Sequence, residues 1–467
     1  MVHPVFSNYR QYAPIALLRI VFRGTGIGVS AAWAGCASFL ETWPGRRGRE
    51  NGPEGEMTTT TRQLAEVADH VNELQKRILE VVFEPAARKR LRLFTAREAA
   101  RWIGLSVPRL RDVCEQENLV PQEQRRMSSR GGLLLSAAQI GDIRRHMAKS
   151  SPRSMRYRPG RHTGETCQVI ASMIFKGGTG KTTLAVHLAQ YLALRGYRVL
   201  LVDLDPQASA TTLFGLNPSQ DVADDATFYG HVSGDRRFAE LPIETYWPGL
   251  DLVPANLALA LTDFEIAGRA KLQASLPIHD YLRRGLDEVR ENYDVILLDC
   301  RPDLGMSTLN ALVAASGIFV PVTMSQLDIA SMGEFFRFSA FLLEQLQELG
   351  VEESHLDLDF VRLIVNRFDP GQAAQAQCHH WMLARMPDQV VRTTMLQTAA
   401  LGHAGSQWQT LYEYEPDEGR RRAYNRALEA LDALCLDLET ILWGAWGRRS
   451  LPNRNRQPQE SVADVTA

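Results

Sequence analysis

Lysine is scarce in this sequence. Of the 52 Lys and Arg residues in 467, six are lysine, and two of those, Lys176 and Lys181, stand five residues apart. An ammonium is a compact point charge that a guanidinium does not replace in a small phosphate cradle, so the pair marks a candidate anion site. Cysteine is equally sparse: Cys36, Cys114, Cys167, Cys300, Cys378 and Cys435 are scattered, with no CxxC pair and no metal-ligand spacing. That pattern excludes a disulfide scaffold, a zinc module and a cysteine-held cluster, and fits a reduced intracellular protein. No apolar run reaches the roughly 18 residues of a spanning helix, so no membrane partner is expected. At 45 % hydrophobic and 23 % charged residues the composition is ordinarily globular, and the length suits about two to three domains.

The net charge of −2 hides a split. Residues 57–163 carry 21 Lys and Arg against 11 Asp and Glu, a surplus of ten; residues 1–56 carry 6 against 4. The rest of the chain is therefore acidic, at −14. A basic segment joined to an acidic body suggests a polyanion-binding module attached to a domain with another task. The segment 1–56 reads as a disordered or untranslated leader, with translation expected to start at Met57 behind the purine-codable Glu54-Gly55-Glu56.

Within the basic segment, Leu64, Val67, Val71, Leu74, Ile78 and Val81 recur at helical spacing. Thr95-Ala-Arg-Glu98 is a capping box that opens a short helix. Gly104 ends that helix, and Ser106 caps a second one with Arg109 and Arg111 outward and Leu110 and Val113 inward. This is helix–turn–helix spacing. Arg125, Arg126 and Arg130 precede Gly131-Gly132 in a predicted basic hairpin, and Ser136 starts another helix. Together they predict a winged-helix DNA-binding region over 57–150; a purely protein-binding helical domain is the alternative. Residues 151–165 read as a linker, 166–447 as the main domain and 448–467 as a disordered tail.

Beyond Thr166, short apolar runs alternate with helical patterns: Val169–Ile174, Arg198–Asp203, Val295–Asp299, Ile318–Val322 and Phe360–Val365. That alternation predicts an α/β fold with a mostly parallel sheet and helices on both faces. The run Lys176-Gly177-Gly178-Thr179-Gly180-Lys181-Thr182-Thr183 follows the first strand and opens a helix. A glycine turn whose N–H groups face an anion, backed by a helix N-terminus, is a phosphate loop. Lys181 would meet the β/γ-phosphates and the Thr182 hydroxyl would ligate Mg²⁺. Two further strands end in carboxylates, Asp203 and Asp205 on one and Asp299 on the other, at the edge where open α/β sheets bind ligands.

KGGTGKTT, DLDPQAS and LLDC, with VNRFDP, TLYEYEP and the helix–turn–helix, resemble the deviant Walker ATPases of the ParA/MinD superfamily. The plasmid-partition branch, including the RepA proteins of replication–partition operons, is the nearest pattern, over roughly residues 57–440. The resemblance implies that Lys176 reaches across an ATP-sandwich homodimer and that Asp205 positions the attacking water. It assigns Asp203 to the switch region and Asp299 to the Walker B acid, with Thr182, Asp203 and Asp299 as the metal residues, and Asn366 to adenine contact. ATP and Mg²⁺ are the implied cofactors. Implied partners are operator and non-specific DNA and a centromere-binding protein of the ParB/RepB type, at a cytoplasmic, nucleoid-associated location. Three departures stand out: Phe175 where a glycine is usual, Arg301 where proline follows Asp-Cys, and Gln397 where the family tends to place a lysine. The alternatives are a repressor that only senses nucleotide, and a MinD-like positioning ATPase.

Overall fold

The computed structural model describes residues 89–448, apart from 118, 122–131, 152–154, 273–276 and 354–355, together with scattered helical positions between 60 and 77. The leader, the hairpin arginines Arg125, Arg126 and Arg130, and the tail from 449 lie outside the described residues.

The N-terminal module follows its local signals. Strand β1 (Phe94–Thr95) leads into helix α1 (Ala96–Ile103), whose capping box joins Thr95 and Glu98. Gly104 terminates α1 at φ +80°, a left-handed turn that L side chains disfavour. Helix α2 (Val107–Gln116) starts at Ser106, with Leu110 and Val113 buried and Arg109 and Arg111 exposed. Strand β2 (Leu134–Leu135) pairs antiparallel with β1, Phe94 opposite Leu135. The described arm of the expected hairpin is thus stitched to the start of the helix–turn–helix. Helix α3 (Ala137–Ser150) carries a second capping box, Ser136 with Gln139.

The main domain is a seven-stranded sheet in the order β5-β6-β4-β7-β3-β8-β9. Its strands are β3 (Gln168–Ser172), β4 (Val199–Asp203), β5 (Ile243–Glu244), β6 (Leu250–Val253), β7 (Val295–Asp299), β8 (Gly317–Val322) and β9 (Phe360–Val365). All pairings are parallel except the edge pair β5–β6. Every residue of β3, β4, β7 and β8 is buried, which explains their unbroken apolar runs. The sequence pattern missed β5 and β6. Both are short, and Asp251 interrupts β6, where it accepts a hydrogen bond from the Tyr293 hydroxyl.

Helix α4 (Lys181–Arg195) packs along the sheet, and α5 (Gln326–Glu348) and α6 (Arg421–Ala445) complete the frame used below. One hydrophobic core runs from α1–α3 through α4 into α6. Trp102 of α1 meets the rings of Tyr191 and Tyr412 edge-on, at 5.4 and 5.7 Å. Arg144 of α3 is buried and its Nη2 donates to the carbonyls of Trp102 and Leu194, each at 2.7 Å. The segment read as a linker is likewise tied down. Arg448 donates to the carbonyls of Pro159 and Gly160, and Arg161 bonds Glu291.

Candidate nucleotide site

The loop between β3 and α4 lies at the carboxyl edge of the sheet. Gly178 and Gly180 adopt φ of +76° and +97°. At Gly180 a Cβ would also sit 2.0 Å from the Asn366 amide, so glycine is required by both torsion and space. No side chain caps α4, which leaves its first N–H groups available to an anion. Thr182 and Thr183 occupy that first turn, half-buried. Phe175 departs from glycine without entering the loop, because its ring packs against Phe335 and Phe338 at 4.8 and 5.9 Å.

The two lysines do different things. Lys181 folds over the loop, its Nζ donating to the Lys176 carbonyl at 2.9 Å. Burial lowers its pKa, and Asp299 acts against that shift. The Lys176 side chain points away and pairs with Asp328 in the first turn of α5. Asp328 is itself buried and accepts from the Thr323 hydroxyl.

Three carboxylates face this loop from two adjacent strands. Asp203 and Asp299 stand opposite each other in the β4–β7 register, and both are wholly buried. Their surroundings differ. Asp203 accepts from the Thr211 N–H and hydroxyl at 2.9 and 2.8 Å and from the Asp205 N–H at 3.2 Å. Burial raises its pKa to about 6 against those donors. Among the described residues neither oxygen of Asp299 is within hydrogen-bonding geometry of a donor, the Thr182 hydroxyl being beside it. Burial and the neighbouring Asp203 push its pKa well up, while Thr182 and Lys181 pull it down. A buried carboxylate left unpaired beside a hydroxyl and an ammonium fits a divalent cation. Asp203, whose oxygens are committed to backbone and hydroxyl donors, does not offer the same vacancy. Among the described residues no group of three or more His, Cys, Asp or Glu could hold a metal by itself, so Mg²⁺ there would need phosphate oxygens in its shell.

Asp205 lies half-exposed just past β4, its Oδ1 accepting from the Gln207 N–H. Asn366, at the end of β9, donates from Nδ2 to the Thr179 carbonyl at 2.6 Å and accepts at Oδ1 from the Arg367 N–H. It is seated on the phosphate loop, with its second amide N–H and the other lone pair of Oδ1 not used by these two bonds.

The AAA domain family matches residues 167–349. A replication protein A of Rhizobium rhizogenes is 37 % identical over 374 residues, covering 79 % of this chain and 91 % of that protein. Protein SopA of Escherichia coli K12 is 30 % identical over 365 residues, covering 76 % and 89 %. A solved structure described as a partition protein matches 81 % of this chain and 98 % of its own, at 18 % identity and TM-score 0.54, which speaks to the fold. The chain belongs to the ParA branch of the ParA/MinD superfamily.

Against that family pattern, Arg301 does not present a free cation to the loop. It pairs with Asp303 and lies 3.6 Å from Asp263, which in turn accepts from the N–H and hydroxyl of Ser307. The segment after β7, Arg301-Pro302-Asp303, is held by these contacts. The sequence reading passed over Arg420, Arg421, Arg422 and Arg426, which are all exposed at the start of α6. The Arg-Arg-Arg run was the available signal. Among the described residues no helix is long and apolar enough to cross a membrane.

Proposed function

We propose that this chain is an ATP-dependent partition protein for a plasmid or secondary replicon. ATP binding drives homodimerisation, the dimer binds DNA, and a centromere-binding partner of the ParB/RepB type stimulates an otherwise weak hydrolysis to ADP and phosphate. The observation that carries the reading is the pairing of two chemically distinct lysines in one loop. Lys181 is folded into the cradle, while Lys176 sits on its outer side, where a second subunit could be met.

In this reading the N–H groups from Gly177 to Thr183 receive the phosphates, with Lys181 neutralising them. Thr182 and Asp299 would hold Mg²⁺, which screens the charge that develops on the phosphate oxygens. Asp205 orients the attacking water. Asp203 shapes the switch segment, and Asn366 fixes the wall where the base lies. The exposed Arg109 and Arg111 on α2 would read operator DNA for autorepression, with Arg125, Arg126 and Arg130 adding backbone contacts. The exposed arginines that open α6 extend a basic surface for non-specific DNA, consistent with a nucleoid-associated, cytoplasmic protein.

The test is ATP turnover by the purified chain, alone and with duplex DNA plus the centromere-binding protein encoded beside it. Stimulation is expected, and Asp205→Ala should dimerise with ATP yet fail to turn over. Turnover indifferent to both additions would favour a repressor that only senses nucleotide.

A further inference from the structure

Asp205 sits on a four-residue turn whose conformation is not its own. Ala208 closes that turn at φ +53°, a left-handed torsion for a residue with a Cβ, and is fully buried there. Such a torsion persists only where the surroundings impose it. Local bonds, Ala208 N–H to the Asp205 carbonyl and Gln207 N–H to the Asp205 carboxylate, shape the turn but do not fix it to the sheet. The fixing contacts come from Asp203 and from Thr211, three residues past the turn.

Thr211 is completely buried and its hydroxyl is used in both directions. The Oγ1 accepts from the Ala255 N–H, just beyond β6, at 2.8 Å, and donates to Asp203 Oδ2 at 2.8 Å. The Thr211 N–H donates to the same oxygen at 2.9 Å. The other oxygen of Asp203 accepts from the Asp205 N–H. A continuous chain of hydrogen bonds therefore runs from β6, through Thr211 and Asp203, to the backbone of Asp205. It also explains why two buried carboxylates can face each other across β4 and β7. The donors gather on Asp203 and leave Asp299 open towards Thr182 and Lys181.

We infer that Thr211 is a positioning residue for ATP hydrolysis: through the Asp203 carboxylate it fixes the backbone of Asp205 so that the side chain meets the attacking water. The inference rests on the reading of Asp205 given above. Thr211 touches neither phosphate nor metal in this scheme, so its loss should act on turnover and spare nucleotide binding.

Thr211→Val keeps the shape and removes the hydroxyl. It should lower kcat by about ten- to a hundred-fold while the ATP Kd stays within about twofold, the cost of a displaced reacting group in a site that still binds. Thr211→Ser restores the hydroxyl and should recover most of the rate, which a packing role for the γ-methyl would not allow. In an Asp205→Ala background, Thr211→Val should lower the residual rate no further. Hydrogen exchange of peptides spanning 203–211 in the unmodified chain is the second measurement, and it stands even where the valine variant does not fold. The Asp205 amide should exchange slowly with and without ATP. Unchanged kcat in Thr211→Val, failure of serine to rescue, or an Asp205 amide that exchanges at the unprotected rate would overturn the inference. An Asp205→Ala chain that hydrolyses ATP normally would instead sink the assignment of Asp205, and is told apart by that measurement alone.

Discussion

The ammonium of Lys176 is bound to the carboxylate of Asp328 in its own chain, although the family pattern gives this lysine to a neighbouring subunit. Asp328 is well built for the pairing: it is buried, lies in the first turn of α5, accepts from the Thr323 hydroxyl and donates its backbone N–H to the capping Ser325 Oγ. Lys176 is partly exposed, so the pair is a modest competitor, worth on the order of 1 kcal/mol once solvent screening is counted.

That competition makes a prediction about assembly. For Lys176 to serve a partner's phosphates, the bond to Asp328 has to open. Asp328→Ala should therefore lower the protein concentration for half-maximal ATP-dependent dimerisation by roughly 3- to 10-fold, the equivalent of about 1 kcal/mol. Sedimentation velocity across a concentration series with ATP checks it. A variant that dimerises less readily than the unmodified chain would show that Asp328 holds Lys176 in its working position.

The two lysines should separate by experiment. Lys181→Ala removes the charge folded into the cradle and should abolish ATP binding in the monomer. Lys176→Ala removes a side chain that lies outside it, so ATP affinity should survive and dimerisation should fail. Equilibrium dialysis with labelled ATP, beside light scattering, reads both. Equal loss of affinity in the two variants would contradict a role for Lys176 across the dimer.

The capping boxes, Gly104 and the buried strands were legible because each is a local rule: Thr95 needs Glu98, and an all-apolar β7 has nowhere to go but a covered sheet. The phosphate loop was legible for the same reason. The division of labour among carboxylates was not. Asp203 and Asp299 look alike as strand-end acids, and only the fold brings Thr211 and Ala255 to one of them. Arg144 and the tethered segment near Arg161 were invisible too, since the partners that fix them lie 42, 50 and 130 residues away. The setting of Arg301 was half legible: Asp303 lies two residues on, but Asp263 is brought up by the fold.

Arg144 allows a test of how firmly the N-terminal module is docked. Its guanidinium is buried, its side-chain hydrogen bonds go to backbone carbonyls, and burial lowers its pKa to about 9. It stays because it satisfies the carbonyl at the C-terminal end of α4 and that of Trp102 together. Arg144→Met removes the donor to the Leu194 carbonyl and leaves the Trp102 carbonyl to Arg195, and should cost about 1–3 kcal/mol. Gly196→Ala should do comparable damage, because φ there is +98° and a Cβ would come within 2.6 Å of the Arg144 guanidinium. Urea unfolding measures both, with exchange of the 96–117 peptides as the local reading. Stability unchanged in both variants would mean that the module is held by its apolar contacts alone.

The arginine-bearing side of the module yields a prediction that separates two kinds of arginine. The surplus of ten positive charges in residues 57–163 should make binding to any duplex fall steeply with salt, because phosphate contacts release counterions. Arg109 and Arg111 stand exposed on α2, the second helix of the pair, with Leu110 and Val113 anchoring its other face in the core. A helix so presented can enter the major groove, where each bidentate arginine contact discriminates by about 1–3 kcal/mol. Arg109→Ala with Arg111→Ala should therefore erase the preference for the chain's own upstream region over random duplex. Replacing Arg125, Arg126 and Arg130 should weaken both duplexes alike and flatten the salt dependence. Screening by mobile ions cannot produce that contrast, since it treats every exposed guanidinium equally. Fluorescence anisotropy on both duplexes at two salt concentrations decides the matter. If the α2 variants lose no more preference than the others, α2 does not read sequence, and the basic surplus serves only to hold the chain near DNA.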